Sequence, residues 1–184
     1  MADPIIIALC GNAGAGKDTA AEYLFEKHGF HRFAFADPLR EMLFGLLESC
    51  YIDYVWITEP HLKDQPIPEL GVSYRQLAQT LGTEWARNLL GQDFWLRTAG
   101  LALGLPDRPV HDRIVISDVR FPNEAAWVQQ HHGRVVRIFQ PAAAVRSHLS
   151  ETLVDQIVPW ARIDNTGTVD QLHEQLDAMV AALS

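Results

Sequence analysis

The stretch Pro4 to Cys10 (PIIIALC) is an apolar run dense in isoleucine and bounded by turn residues. Such a run suits a strand covered on both faces, as in a parallel sheet. A glycine-rich turn follows. Lys17 to His28 then places Ala20, Ala21, Leu24 and Phe25 at helical spacing, with Gly29 to close the helix. Arg32 to Ala36 (RFAFA) reads as a second strand, and Asp37-Pro38 as an N-cap with proline at the first position of a helix reaching about Glu48.

The pattern dissolves between Ser49 and Val72, where Pro60, Pro66 and Pro68 alternate with mixed charge, so this stretch is expected to be a mobile excursion from the core. Ser73 with Gln76 forms a capping box, and a helical stretch with breaks at Gly82 and Gly91 runs to Leu103. Arg113 to Val119 (RIVISDV) is a third strand, Phe121 to His131 a helix entered at Pro122, and Arg134 to Phe139 (RVVRIF) a fourth strand. Ala161 to Asp164 supplies a short fifth strand. Thr168 with Gln171 caps a last helix on which Leu172, Leu176, Met179, Val180 and Leu183 share a face. Strands alternating with helices predict an α/β fold with a mostly parallel, doubly wound five-stranded sheet, and ligands at the carboxyl ends of its strands.

At 184 residues the chain has room for one α/β domain, and its 48% hydrophobic and 21% charged residues are ordinary for a folded protein. A net charge of -8 argues against general attraction to nucleic acid, so an anionic ligand needs a local cluster of positive groups. Cys10 and Cys50 have neither metal nor redox spacing and read as reduced thiols. No apolar run has the length of a membrane span and no signal segment is evident, so a cytoplasmic location is expected.

That positive cluster has a clear candidate. Gly11-Asn12-Ala13-Gly14-Ala15-Gly16-Lys17-Asp18 follows the phosphate-loop pattern of glycine, four residues, glycine and lysine, with Asp18 where serine or threonine is usual. In such a loop backbone N–H groups converge on phosphate oxygens, small residues permit close wrapping, and the helix that follows adds its positive end. Lys17 would bring charge to the β- and γ-phosphates. Asp18 either complements the helix N-terminus or ligates Mg²⁺, with Thr19 as a nearby hydroxyl. Asp118, where the third strand ends, is either a turn residue or an acidic group reaching the Mg²⁺ shell. Arg120 beside it either clamps a phosphate or forms a surface ion pair.

Taken in order, GNAGAGKDTAAEYL, FADPLREM, LGTEWARNLLGQDFW, ISDVRFPNEA and SHLSE resemble the deoxynucleoside monophosphate kinase family, whose phosphate loop also carries GKD. The resemblance spans Gly11 to Glu151. It implies a three-layer P-loop kinase fold with a helical insertion at about 49–105 for the acceptor and a lid-like segment at about 141–158. It also implies transfer from Mg·ATP to a deoxynucleoside monophosphate held by Asp37, Arg40, Trp85, Arg87, Asp118, Arg120, Phe121, Asn123 and Glu124. Lys17, Arg120 and Arg146 would be the catalytic cations, Arg146 being preferred to Arg137, which lies within a strand. His148 is either part of that segment or an exposed loop residue.

Asn165, Thr166 and Gly167 resemble the stretch that contacts adenine in related kinases, including dephospho-coenzyme A kinases. Trp85 is either a stacking surface or core, and Phe94 and Trp95 read as core. Phosphomevalonate kinases share the GKD loop, but SDVRFPNEA and GTEW weigh against both of these rivals. The guanine-reading sequence of nucleotide switches is absent, and a silent nucleotide-binding module stays open, as does a homodimer. Small nucleotides are the expected partners, without nucleic acid or membrane.

Overall fold

The computed structural model describes residues 3–141 and 153–183. In chain order the elements are β1 (Ile5–Cys10), α1 (Lys17–His28), β2 (His31–Phe33), α2 (Asp37–Ser49), α3 (Val55–Thr58), β3 (Pro66–Ile67), β4 (Val72–Ser73) and α4 (Tyr74–Gln79). A π-helical stretch, Thr80–Leu90, leads to α5 (Phe94–Leu103), β5 (Arg113–Val119), α6 (Pro122–Gln130) and β6 (Arg134–Phe139). A 3-10 turn at Val154–Gln156, β7 (Ala161–Asp164) and α7 (Val169–Ala181) complete the chain. The chain divides into two compact units, Met1–Phe35 with Gly100–Ser184, and Ala36–Ala99.

The first unit holds a five-stranded sheet in the order β2-β5-β1-β6-β7, and every pair in it is parallel. Alternation along β1 sends Ile7 and Leu9 to one face. There they join Ala20, Ala21 and Leu24 of α1 and Leu172, Leu176, Met179 and Val180 of α7 in one buried cluster. On the other face Gly133, at the entry to β6, leaves no room for a Cβ against Val128 of α6 and Ile6 of β1. Helix, sheet and helix thus make three layers. From β1 the chain crosses toward one edge, to β2, whereas from β6 it continues toward the other, to β7. The carboxyl ends of β1 and β6 therefore border the crevice where an open α/β sheet takes its ligand.

Three expectations are corrected in this unit. The second strand stops at Phe33 rather than Ala36, because the Phe35 N–H is taken by a carboxylate oxygen of Asp118 at 2.7 Å and leaves the ladder. Phe25 is half exposed instead of joining the buried face of α1; Phe30, just past the Gly29 cap, fills the cluster instead. Leu183 lies past the end of α7 at Ala181 rather than on its face, and packs, partly buried, against that cluster.

In the second unit, Leu39 and Leu43 of α2 pack with Tyr74, Ala86 and Trp95, while Leu47, Ile52 and Ile67 form a smaller cluster. The stretch after Ser49 is therefore more ordered than its composition predicts. It forms α3 and an antiparallel β3–β4 pair, with Ile67 fully buried. Asp37 is not the N-cap of α2. Ala36 takes that position, and the Asp37 carboxylate accepts from Arg40 Nη1 at 2.7 Å. Ser73 is the N-cap of α4, its hydroxyl accepting from the Gln76 N–H at 3.1 Å. The break expected at Gly82 is instead a change of helix type, and the chain turns at Gly91. Trp95 is core, its indole N–H donating to the Gly82 carbonyl at 2.9 Å, with Phe94 and Trp85 packed edge to face beside it.

Candidate active site

The glycine-rich loop joins the carboxyl end of the central strand β1 to the first turn of α1. Its glycines are needed for geometry. Gly14 and Gly16 have φ of +79° and +97°, where a side chain is strained, and a Cβ on Gly11 would strike the Ile138 carbonyl of β6. Ala15 is buried, with its N–H on the Asn12 carbonyl at 3.1 Å. Gly16 is the N-cap of α1, so the positive end of that helix opens directly onto the loop. Lys17 folds back over the turn, its ammonium donating to the carbonyls of Gly11 at 2.8 Å and Asn12 at 2.9 Å. Asp18 and Thr19 are exposed in the first turn of α1.

Beneath the loop lies Cys10. Burial pushes its thiol pKa up, while the charges of Arg137 and Lys17 pull against that rise. Arg137 stands opposite Cys10 in the β1–β6 register. Its guanidinium donates to Asp155 at 2.9 Å and to the carbonyls of Val154 at 2.6 Å and Ile157 at 3.0 Å.

Asp118 is the second-to-last residue of β5, the strand paired with β1, and is buried. Its contact with the Phe35 N–H ties β5 to the loop leaving β2. Arg120 and Phe121 follow in the turn into α6. Their backbone N–H groups both donate to one oxygen of Glu124, at 2.7 and 3.0 Å. The buried Glu124 carboxylate therefore shapes the turn that carries Arg120, an arrangement visible in the sequence only as an acidic residue in the first turn of a helix. Asn123 sits on the same turn, partly exposed.

After β7, Asn165 donates from Nδ2 to the Ala15 carbonyl at 2.9 Å, a contact between residues 150 positions apart that no local signal announces. Thr166 and Gly167 are exposed beside it. The sheet thus gathers Gly11 to Thr19, Asp118 to Glu124 and Asn165 to Gly167 at the carboxyl ends of its strands.

The remaining acceptor candidates belong to the second unit. Asp37 and Arg40 form their exposed pair on α2, and Trp85 is partly buried. Arg87 is buried, its guanidinium reaching the Gln92 carbonyl at 3.3 Å while the Gln92 amide returns a bond to the Arg87 carbonyl. Arg146 and His148 lie outside the described residues.

Among the described residues no group of three or more His, Cys, Asp or Glu is placed to hold a metal. Magnesium fits this donor set nonetheless. It takes one or two carboxylates and completes its shell with water and substrate phosphate, and Asp18 and Asp118 are the carboxylates that this end of the sheet offers for it. Among the described residues no helix is long and apolar enough to cross a membrane.

No protein-family model matches the chain. It is 29% identical to a protein of Acanthamoeba polyphaga mimivirus that bears the provisional name deoxynucleotide monophosphate kinase, over 96% of each chain. It is 24% identical to the deoxynucleoside-5'-monophosphate kinase of Escherichia phage T5, over 68% of this chain and 72% of that protein. Among solved structures, TT1252 from Thermus thermophilus matches it over the whole of both chains with a TM-score of 0.50 at 19% identity, a likeness of fold alone. By its motifs and by these two viral proteins, the chain is similar to the deoxynucleoside monophosphate kinases, with its phosphate-loop sequence set on a parallel α/β sheet.

Proposed function

We propose that the chain transfers the γ-phosphoryl group of Mg·ATP to a deoxynucleoside monophosphate, yielding ADP and a deoxynucleoside diphosphate. The observation that carries this reading is the ammonium of Lys17 held over the carbonyls of a glycine loop at the start of α1. When nucleotide arrives, phosphate oxygens replace those carbonyls as the partners of Lys17, and the loop N–H groups take up the β-phosphate. The two viral relatives named for this activity support the choice of acceptor.

In the reaction the bond from the γ-phosphorus to the β–γ bridging oxygen breaks, and an oxygen of the acceptor monophosphate forms the new bond in line with it. That oxygen is already largely ionised near neutral pH, so the chain need not supply a strong general base. Asp18 and Asp118 would hold the magnesium that comes with the nucleotide, which would supply charge neutralisation between the phosphates. Lys17 balances the charge on the leaving group. Arg120, whose backbone is fixed by Glu124, clamps the acceptor phosphate, and Asp37, Arg40, Trp85 and Arg87 are further acceptor-binding candidates on the family resemblance.

ADP production from Mg·ATP should be measured against a panel of deoxynucleoside and ribonucleoside monophosphates, dephospho-coenzyme A and phosphomevalonate. Turnover is expected with deoxynucleoside monophosphates and should fall roughly 100-fold or more in a folded Lys17→Ala variant. Turnover confined to dephospho-coenzyme A or phosphomevalonate would replace the acceptor, and wild-type rates in Lys17→Ala would remove the loop from the mechanism.

A further inference from the structure

Within the phosphate loop, Ala15 stands between two glycines with positive φ, so the loop's own sequence does little to restrain the plane of the Ala15–Gly16 peptide. That plane matters. The Ala15 carbonyl and the Gly16 N–H belong to one planar trans peptide and point in opposite directions. Whatever holds the carbonyl therefore aims the N–H.

The holder is Asn165, whose Nδ2 donates to the Ala15 carbonyl at 2.9 Å. Asn165 is itself pinned. Its backbone N–H donates to the Phe139 carbonyl of β6 at 2.8 Å. The preceding residue, Asp164, exchanges two hydrogen bonds with the Gln175 side chain of α7, at 3.2 and 3.1 Å. The fit is close, because a Cβ on Gly16 would run into the Asn165 amide nitrogen. The third glycine of the loop thus makes room for Asn165 as well as supplying its backbone conformation.

We propose that Asn165 is a positioning residue for phosphate binding: by holding the Ala15 carbonyl it turns the Gly16 N–H toward the bound phosphates, and it does so without touching the base. This rests on the nucleotide-binding reading given above and differs from the adenine contact that the resemblance implies for Asn165. The two roles separate when the ligand has no base.

Dissociation constants for inorganic tripolyphosphate and for ATP, both with magnesium, should be measured by calorimetry for wild type, Asn165→Ala and Asn165→Leu, the last keeping the side-chain volume while removing the donor. Both ligands are expected to weaken by the same factor, roughly 3- to 10-fold, the worth of one hydrogen bond. Weakening of ATP alone would make Asn165 a base contact and overturn the proposal. A lower melting temperature with both constants unchanged would overturn it too, since the bond would then serve the fold only. Wild-type protein that binds neither ligand would overturn the nucleotide reading itself, and this proposal with it.

Discussion

Asp118 has one duty in the fold and a second in the proposed reaction, and one substitution can separate them. Its Oδ1 accepts the Phe35 N–H in a buried setting, and in the proposed reaction its charge faces magnesium. Asp118→Asn keeps an oxygen acceptor and removes the charge. Its unfolding free energy should stay within about 1 kcal/mol of wild type, while magnesium-dependent turnover falls roughly 10- to 100-fold. Asp118→Ala also strands the Phe35 N–H, adding a loss of about 1–3 kcal/mol in denaturant unfolding. Full turnover in the Asn variant would leave Asp118 a purely structural residue. Lys17 and the loop glycines were legible in the sequence because their chemistry demands a fixed local spacing. The holding contacts of Glu124 and Asn165 were not, because each side chain satisfies backbone groups whose positions only the fold defines.

Helices α1 and α7 are joined on the sheet's surface by a polar cluster around Asp177. Its carboxylate accepts from Lys27 at 2.8 Å and from the Tyr23 hydroxyl at 2.9 Å and bonds His28 at 2.8 Å, while His173 stacks on Tyr23. The Lys27 hydrogen bond, then that of His28, draws the Asp177 pKa from 3.8 down to about 2. A lowered carboxylate pKa stabilises the fold above the unfolded value and loses that contribution as pH falls through the folded one. The melting-temperature difference between wild type and Asp177→Asn should therefore be full above about pH 4 and vanish toward about pH 2. It should also shrink in high salt, because the cluster is exposed. A difference that does not change with pH would assign the effect to packing.

The bounds of α1, β5, β6 and β7 match the sequence expectation to the residue, since apolar runs, periodicity and the Gly29 cap are written locally. Between Ser49 and Leu90 the match weakens. The two-residue strands β3 and β4 exist only by pairing with each other, and a π-helix repeats no pattern that distinguishes it from an α-helix.

At the scale of the molecule, the two units divide the candidate residues unevenly. The sheet unit holds the phosphate loop, Asp118 and Asn165, and the segment Ala36–Ala99 holds Asp37, Arg40, Trp85 and Arg87. Each unit also carries one cysteine in opposite surroundings. Cys50 is exposed in the second unit, and Cys10 is sealed under the loop in the first, with its pKa raised by burial. A thiol reagent should therefore label Cys50 at once and Cys10 only when the sheet unit opens. Where opening and reclosing outpace labelling, saturating nucleotide at about 100 times Kd should slow labelling of Cys10 about 100-fold and leave Cys50 unaffected. Equal rates at the two sites would contradict the sealed position of Cys10. The strand that supports the phosphate loop thus carries its own clock, a single sulfur atom whose modification times the opening of the sheet and registers a ligand's grip without any assay of turnover.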